Sequence, residues 1–224
     1  MRTRGFLLLI LAQISLSAQT EQSLGLLPQV TMSRSINEQW SVALQLESMQ
    51  RTHQAVEDGL SSDYLYIRTD ITPILSYRMS SGESLAIGYM HRFVNGKDVH
   101  RTLQQYAWVQ PKEGYRIAHR LRSDQTLRKG ASPIIRMRYR ISFDIPLEGM
   151  SQNTGEFYLV PAMEQLIIGQ SDILDGETRF LLRLGRTLSV KTKVEIGLDH
   201  RFDGYLVEEE RHRSWLILAL FLKP

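Results

Sequence analysis

The stretch Arg136-Met137-Arg138-Tyr139-Arg140-Ile141-Ser142-Phe143-Asp144-Ile145 alternates charged or polar residues with large apolar ones without a break. A β-strand sends successive side chains to opposite faces, so one face carries Arg136, Arg138, Arg140, Ser142 and Asp144 and the other only apolar and aromatic groups. One face calls for water or counter-charge, the other for hydrocarbon. In a soluble sandwich the apolar face would cover a core. The same alternation repeated down the chain behind an export signal points instead to an all-β fold, an antiparallel up-and-down transmembrane β-barrel of about ten to twelve strands.

The export signal is read from the first residues. Arg2 and Arg4 form a positive segment, Phe6 to Leu11 an apolar one, and Ser15, Ser17 and Ala18 a small-residue cleavage region. This is the pattern of a secretory signal peptide. Cleavage after Ser17 or after Ala18 fits, giving a signal at 1–18 and a single domain over 19–224. No cysteine occurs anywhere, which excludes a lipoprotein anchor and a disulfide framework. Losing the signal takes Arg2 and Arg4 from 27 basic residues and nothing from 24 acidic ones, leaving a charge of +1 and no nucleic-acid footprint. The longest apolar run of the mature chain, Trp215 to Leu222, falls well short of the roughly 20 residues a spanning helix needs. If this chain crosses a membrane, it crosses as strands.

Period-two reading yields strands near 24–35, 39–50, 63–79, 83–94, 99–109, 114–126, 133–146, 156–168, 177–187, 189–201 and 211–222. Most are longer than the usual globular strand of about 5 or 6 residues and reach the roughly 9 to 11 of a tilted membrane strand. The weakest are 99–109, whose Arg101, Gln104 and Gln105 fall on both faces, and 156–168, which contains Pro161. Short connections at 36–38, 80–82, 110–113 and 188 interleave with longer ones at 51–62, 127–132, 169–176 and 202–210, the asymmetry expected of periplasmic turns and external loops, which 95–98 (short) and 147–155 (long) break. Trp40, Tyr77, Tyr115 and Phe143 flank the short connections with the parity of their apolar neighbours, as an interfacial aromatic girdle would. An odd strand number would leave the first and last strands parallel, whereas bacterial barrels normally close on an even one, so one strand is expected to be missing or spurious.

Turning the apolar parity outward collects charge inside. The expected lumen network is Glu47, Arg68, Arg116, Arg120, Arg122, Arg136, Arg138, Arg140, Glu164, Arg179, Arg183 and Glu195. Arg116, Arg120 and Arg122 would run beside Arg136, Arg138 and Arg140, a like-charged ladder that repels unless acids or anions intervene. Glu47, Glu156, Glu164 and Glu195 are the internal candidates for that counter-charge. Such a network either fills the barrel structurally or lines an electropositive path for a small anionic solute.

Catalytic signals are sparse. His53, His91, His100, His119, His200 and His212 show no metal-ligand spacing, and there is no nucleophile elbow or phosphate loop, so no catalytic residue, cofactor or metal is assigned. His200, between Asp199 and Arg201, is the nearest approach to an oriented base, but strand neighbours point to opposite faces. Gly88, Gly169, Gly185 and Gly197 read as bends or close backbone approaches within strands.

Several segments resemble, in order, a family of Gram-negative outer-membrane barrel proteins catalogued as a domain of unknown function. They are Leu85-Ala86-Ile87-Gly88-Tyr89 with Arg92, then Arg120-Leu121-Arg122 and Arg136-Met137-Arg138-Tyr139-Arg140, then Pro161 with Glu164, and finally Arg179 to Gly185 before Ile196-Gly197-Leu198. The chain departs from the family's pattern at Val99-His100-Arg101, where an acid usually precedes the histidine, and at Ile196-Gly197-Leu198-Asp199-His200 in place of a terminal Gly-Tyr. The resemblance implies an outer-membrane location and lends no catalytic residue. Expected partners are outer-membrane lipid, the barrel-assembly machinery and a small anionic solute. Two alternatives stand beside this reading. A lipid-modifying or lipid-hydrolysing barrel enzyme would show a Ser or Thr within reach of a His backed by an acid. A soluble periplasmic lipocalin-like binding protein would turn the apolar residues of 134–145 inward.

Overall fold

Alternation produces strands wherever it runs, and in the computed structural model, which describes residues 21–56, 59–94, 96–128, 130–207 and 209–224, it produces eleven. They are β1 (Glu21–Ser35), β2 (Trp40–Val56), β3 (Gly59–Arg78), β4 (Glu83–Val94), β5 (Lys97–Lys112), β6 (Tyr115–Arg128), β7 (Ala131–Pro146), β8 (Phe157–Gln170), β9 (Ile173–Ser189), β10 (Thr192–Asp203) and β11 (Arg211–Leu222). The expected signal peptide lies outside the described residues, and among those residues there is no helix.

Each strand pairs antiparallel with its sequence neighbour, and the sheet closes by a parallel seam between β1 and β11, from Glu21 opposite Arg211 to Met32 opposite Leu222. The parity problem raised by eleven strands is therefore solved by the seam itself, not by a missing or spurious strand. A parallel ladder is slightly weaker per residue, but closure leaves no unpaired edge. Both doubtful strands are real. In β8 the ladder to β7 skips from Ala162 opposite Ser142 to Leu159 opposite Ile145, and Pro161, which has no N–H to give, sits in that gap.

The strands run further than their apolar pattern does. β2 and β3 extend to Val56 and from Gly59, β8 to Gln170 and β9 from Ile173, so the long connections expected at 51–62 and 169–176 shrink to two residues each. The expected loop asymmetry is corrected accordingly, since both rims carry mostly tight turns. Backbone pairing needs no apolar side chain, so the ladder continues where the alternation fades. We call the rim formed by the β1–β2 and β3–β4 turns the Trp40 rim, and the opposite one, with the 204–210 connection, the Tyr205 rim.

The hydrogen-bonded rows climb from one rim to the other. Starting at Ala43, near the Trp40 rim, partners run through Ile74, Gly88, Leu103, Asp124, Arg136 and Ile168 to Asp175, near the Tyr205 rim. Strands tilted against the barrel axis produce this climb. All eight side-chain positions share the inner face.

The outer wall is apolar. Ile135, Met137 and Tyr139 of β7 are 52, 54 and 38% exposed, and Ile87, Leu182, Leu198 and Leu218 continue the surface around the barrel. The residues that a lipocalin-like fold would bury are thus turned outward. At the Trp40 rim Trp40 packs against Tyr77 with ring centroids 4.9 Å apart, and Trp108, whose direction the mixed sequence of β5 concealed, stacks on His119 of the outer wall at 4.6 Å.

The interior is not purely ionic. Leu27, Met49, Ala162, Leu181, Trp215, Ile217 and Ala219 form a buried cluster with Phe221 packed against it. β11 is apolar at both parities, and the inner one supplies Trp215, Ile217 and Ala219. This wedge fills part of the lumen and meets the charged groups there, with the Arg201 guanidinium 5.9 Å from the centre of the Trp215 ring.

Candidate functional site

The facing of β6 and β7 brings like charges directly opposite one another, with Arg122 across from Arg138 and Arg120 across from Arg140. Two carboxylates resolve the clash. Asp124 Oδ1 accepts from Arg122 Nε at 2.7 Å, and its Oδ2 lies 2.6 Å from Arg138 Nε. Glu164, on β8 opposite Arg140, accepts from Arg120 at 2.6 Å and from Arg179 at 3.3 Å, with Arg138 at 3.7 Å. Both acids are buried, Asp124 completely and Glu164 to within 2%. Each carboxylate accepts charge-assisted hydrogen bonds from one or two guanidiniums and has Arg138 in ionic contact, which offsets the hydration lost on burial.

The other expected network residues occupy the same interior. Arg68 pairs with Glu47 at 3.1 Å and with Asp70 at 3.3 Å, and Arg183 pairs with Glu195 at 3.2 Å. Arg179 binds Glu177 at 2.7 Å as well as Glu164. Arg116 reaches Asp144 at 2.8 Å near the Trp40 rim, half exposed and apart from the rest. Glu156, considered as a counter-charge, bonds Asn153 within the β7–β8 connection instead. Arg136 and Arg140 face the lumen, and among the described residues neither has a carboxylate within 4.0 Å.

The parity of the sequence puts Asp70 and Asp199 inside with the arginines, but their partners Arg92 and Arg201 and the Asp203 cluster were missed. Arg92 clamps Asp70 through two bonds of 2.7 Å, Arg201 binds Asp199 at 2.8 Å, and Arg211 and Arg213 both pair with Asp203. Asp124 and Glu177 share the parity of the arginines on their own strands, a signal that was present in the alternation. Asp203 and Arg101 lay in stretches read as a loop or as mixed, where no parity was assigned.

Two cavities follow the barrel axis. One, of about 590 Å³, opens toward the Tyr205 rim and is lined by eleven arginines and five acidic residues. The second, of about 250 Å³, lies deeper and is lined by seven arginines and three acids. Glu47, Arg122, Arg138, Arg179 and Arg201 border both and so form the ionic layer between them. Guanidiniums outnumber carboxylates around both cavities, and arginine stays charged and offers its donors in a fixed fork.

On the outer wall Ser214 Oγ lies 2.9 Å from His200 Nδ1, and His200 Nε2 lies 3.4 Å from His212 Nδ1. The group behind the base is a second imidazole rather than an acid, because Asp199 faces the lumen and binds Arg201. The acid-backed constellation expected of a hydrolase is not formed there. Among the described residues no cluster of His, Asp and Glu could hold a metal ion.

Fold and interior together define a closed all-β barrel with an arginine-rich lumen. Residues 24–206 match the model of the family described as "Protein of unknown function (DUF2490)", and the chain belongs to that family. No curated protein and no solved structure matches it significantly.

Proposed function

We propose that this chain is an outer-membrane barrel that takes a small anionic solute into its lumen from the Tyr205 rim. The apolar outer wall supports the membrane location. A face of Ile, Leu, Met and Tyr running around a barrel has no core to cover, and hydrocarbon lipid satisfies it. The signal peptide read at 1–18 supplies the export route, and the assembly machinery of the outer membrane would be the partner that inserts the barrel.

The observation that carries the solute class is the cavity of about 590 Å³ with its eleven arginines against five acids. The ionic layer beneath it would be the barrier to passage, and anion exchange among its guanidiniums the means of crossing. Conductance of the refolded protein in planar bilayers, in salts that differ only in the size of the anion, tests this. Anion-selective steps that shrink as the anion grows are expected. Silence from protein shown to be folded and inserted overturns transport and leaves a second reading, a structural barrel closed by the ionic layer and the Trp215 wedge.

A further inference from the structure

At the wall of the large cavity two of its lining guanidiniums converge on one neutral oxygen that lies behind the lining. Arg101 Nε of β5 and Arg136 Nη1 of β7 each donate to Thr126 Oγ1 of β6 at 2.8 Å. Arg101 is only 5% exposed and Thr126 is fully buried. Among the described residues no carboxylate lies within 4.0 Å of either guanidinium, while Asp124, the nearest acid, is taken by Arg122 and Arg138. Beyond that distance Arg101 feels the like charges of Arg136, Arg92 and Arg138, set against the attraction of Asp124 alone among the acids named with it.

The chemistry of the threonine sharpens the point. A hydroxyl has two lone pairs and one proton. With both lone pairs directed at guanidiniums, its proton is left to be donated. The cluster therefore holds donors only, and the two guanidiniums that line the cavity, Arg101 and Arg136, have N–H groups that Thr126 does not use. Arg128 lines the cavity as a further cation. A buried, like-charged set of donors is costly unless an acceptor-only partner neutralises it.

We infer that Arg101 and Arg136, positioned by Thr126, form a binding site for a tetrahedral oxyanion of the phosphate class. Guanidiniums from β5 and β7, on either side of β6, offer several N–H donors from two directions, as a group with three or four acceptor oxygens requires. The site rests on the lumen reading above and names the class of solute it would hold. Its place beneath the mouth of the larger cavity makes it the first strong binding point for an anion entering from the Tyr205 rim.

The test uses the full folded chain in detergent, unfolded thermally in chloride-free buffer with added inorganic phosphate. Phosphate should raise the unfolding midpoint in a saturable way, and chloride at matched ionic strength should not. In Arg101→Gln and Arg136→Gln the phosphate concentration for half-saturation should rise at least tenfold. Thr126→Ser should keep the response and Thr126→Val should lose it. Equal phosphate shifts in wild type and all variants would be a general salting effect and overturn the site. If that occurs while anion-selective current persists, the site alone is wrong. If wild type shows neither phosphate stabilisation nor anion-dependent current, the lumen reading falls with it.

Discussion

The ring of Tyr158 lies directly over Gly185, its partner across β8 and β9, and its hydroxyl donates to Glu195 Oε1 at 2.9 Å. Tyr158 is 2% exposed, so the glycine is the floor that lets a large ring lie flat against the inner wall and reach an acid that also binds Arg183. A Cβ at position 185 would fall inside that ring. Gly185→Ala should destabilise the barrel by about 1–3 kcal/mol through overpacking. Gly169→Ala, where a Cβ meets nothing within 4 Å, should leave the urea midpoint close to wild type. Equal midpoints for the two variants would contradict the contact.

Met137 stands on the outer wall with Arg136 and Arg138 of the same strand turned inward. On the membrane reading Met137→Arg should cost about 2–4 kcal/mol near the bilayer midplane and reduce the folded fraction in liposomes. Because the chain has no cysteine, single-cysteine variants give a clean second readout. A label confined to the lipid phase should reach a cysteine at 137 and not one at Met49, which is 1% exposed inside the barrel. The reverse pattern would sink the membrane assignment.

Glu164 holds Arg120 and Arg179 by hydrogen bonds and has Arg138 nearby. Glu164→Gln removes the charge and takes from Arg120 its carboxylate and from Arg179 and Arg138 one of two, a loss on the order of 3–5 kcal/mol. Glu148→Gln, exposed in the β7–β8 connection, should change stability by less than about 0.5 kcal/mol. Comparable unfolding midpoints for the two would mean that Glu164 contributes no more than a surface acid.

The parallel seam sets Val30 opposite Leu220 and Leu24 opposite Ser214. Cysteines placed together at Val30 and Leu220 should form an intramolecular crosslink, visible as a mobility shift on a non-reducing gel. Cysteines at Val30 and Ser214, six positions out of register, should not. Crosslinking of the second pair alone would mean that the barrel closes in another register.

The alternation of 136–145 was enough to assign the faces of β7, because each inward position carries a polar group and each outward one an apolar group. The same reading failed on β5 and β11. In β5 the outer wall itself carries Thr102, Gln104 and Gln105's neighbour Tyr106, with Gln104 exchanging amide bonds with Gln125 of β6, so polarity there does not mark the lumen. In β11 the inner face is apolar because it packs against Leu27 and Met49, and no pattern within one strand can reveal what the opposite wall supplies. Of the four strand glycines, Gly88, Gly185 and Gly197 do mark close approaches, whereas Gly169 has open space above it.

The presence and rough place of the strands follow from the sequence alone, since a period of two is a local property of each strand, whereas it leaves open their number at closure and which parity faces outward. Which arginine meets which acid is decided only in the closed barrel. The row that brings Asp124 beside Arg136 and the seam that brings β1 beside β11 depend on stagger and tilt summed over all the strands. Charge pairing acts over a few ångströms, and only that accumulated register determines which charges come so close.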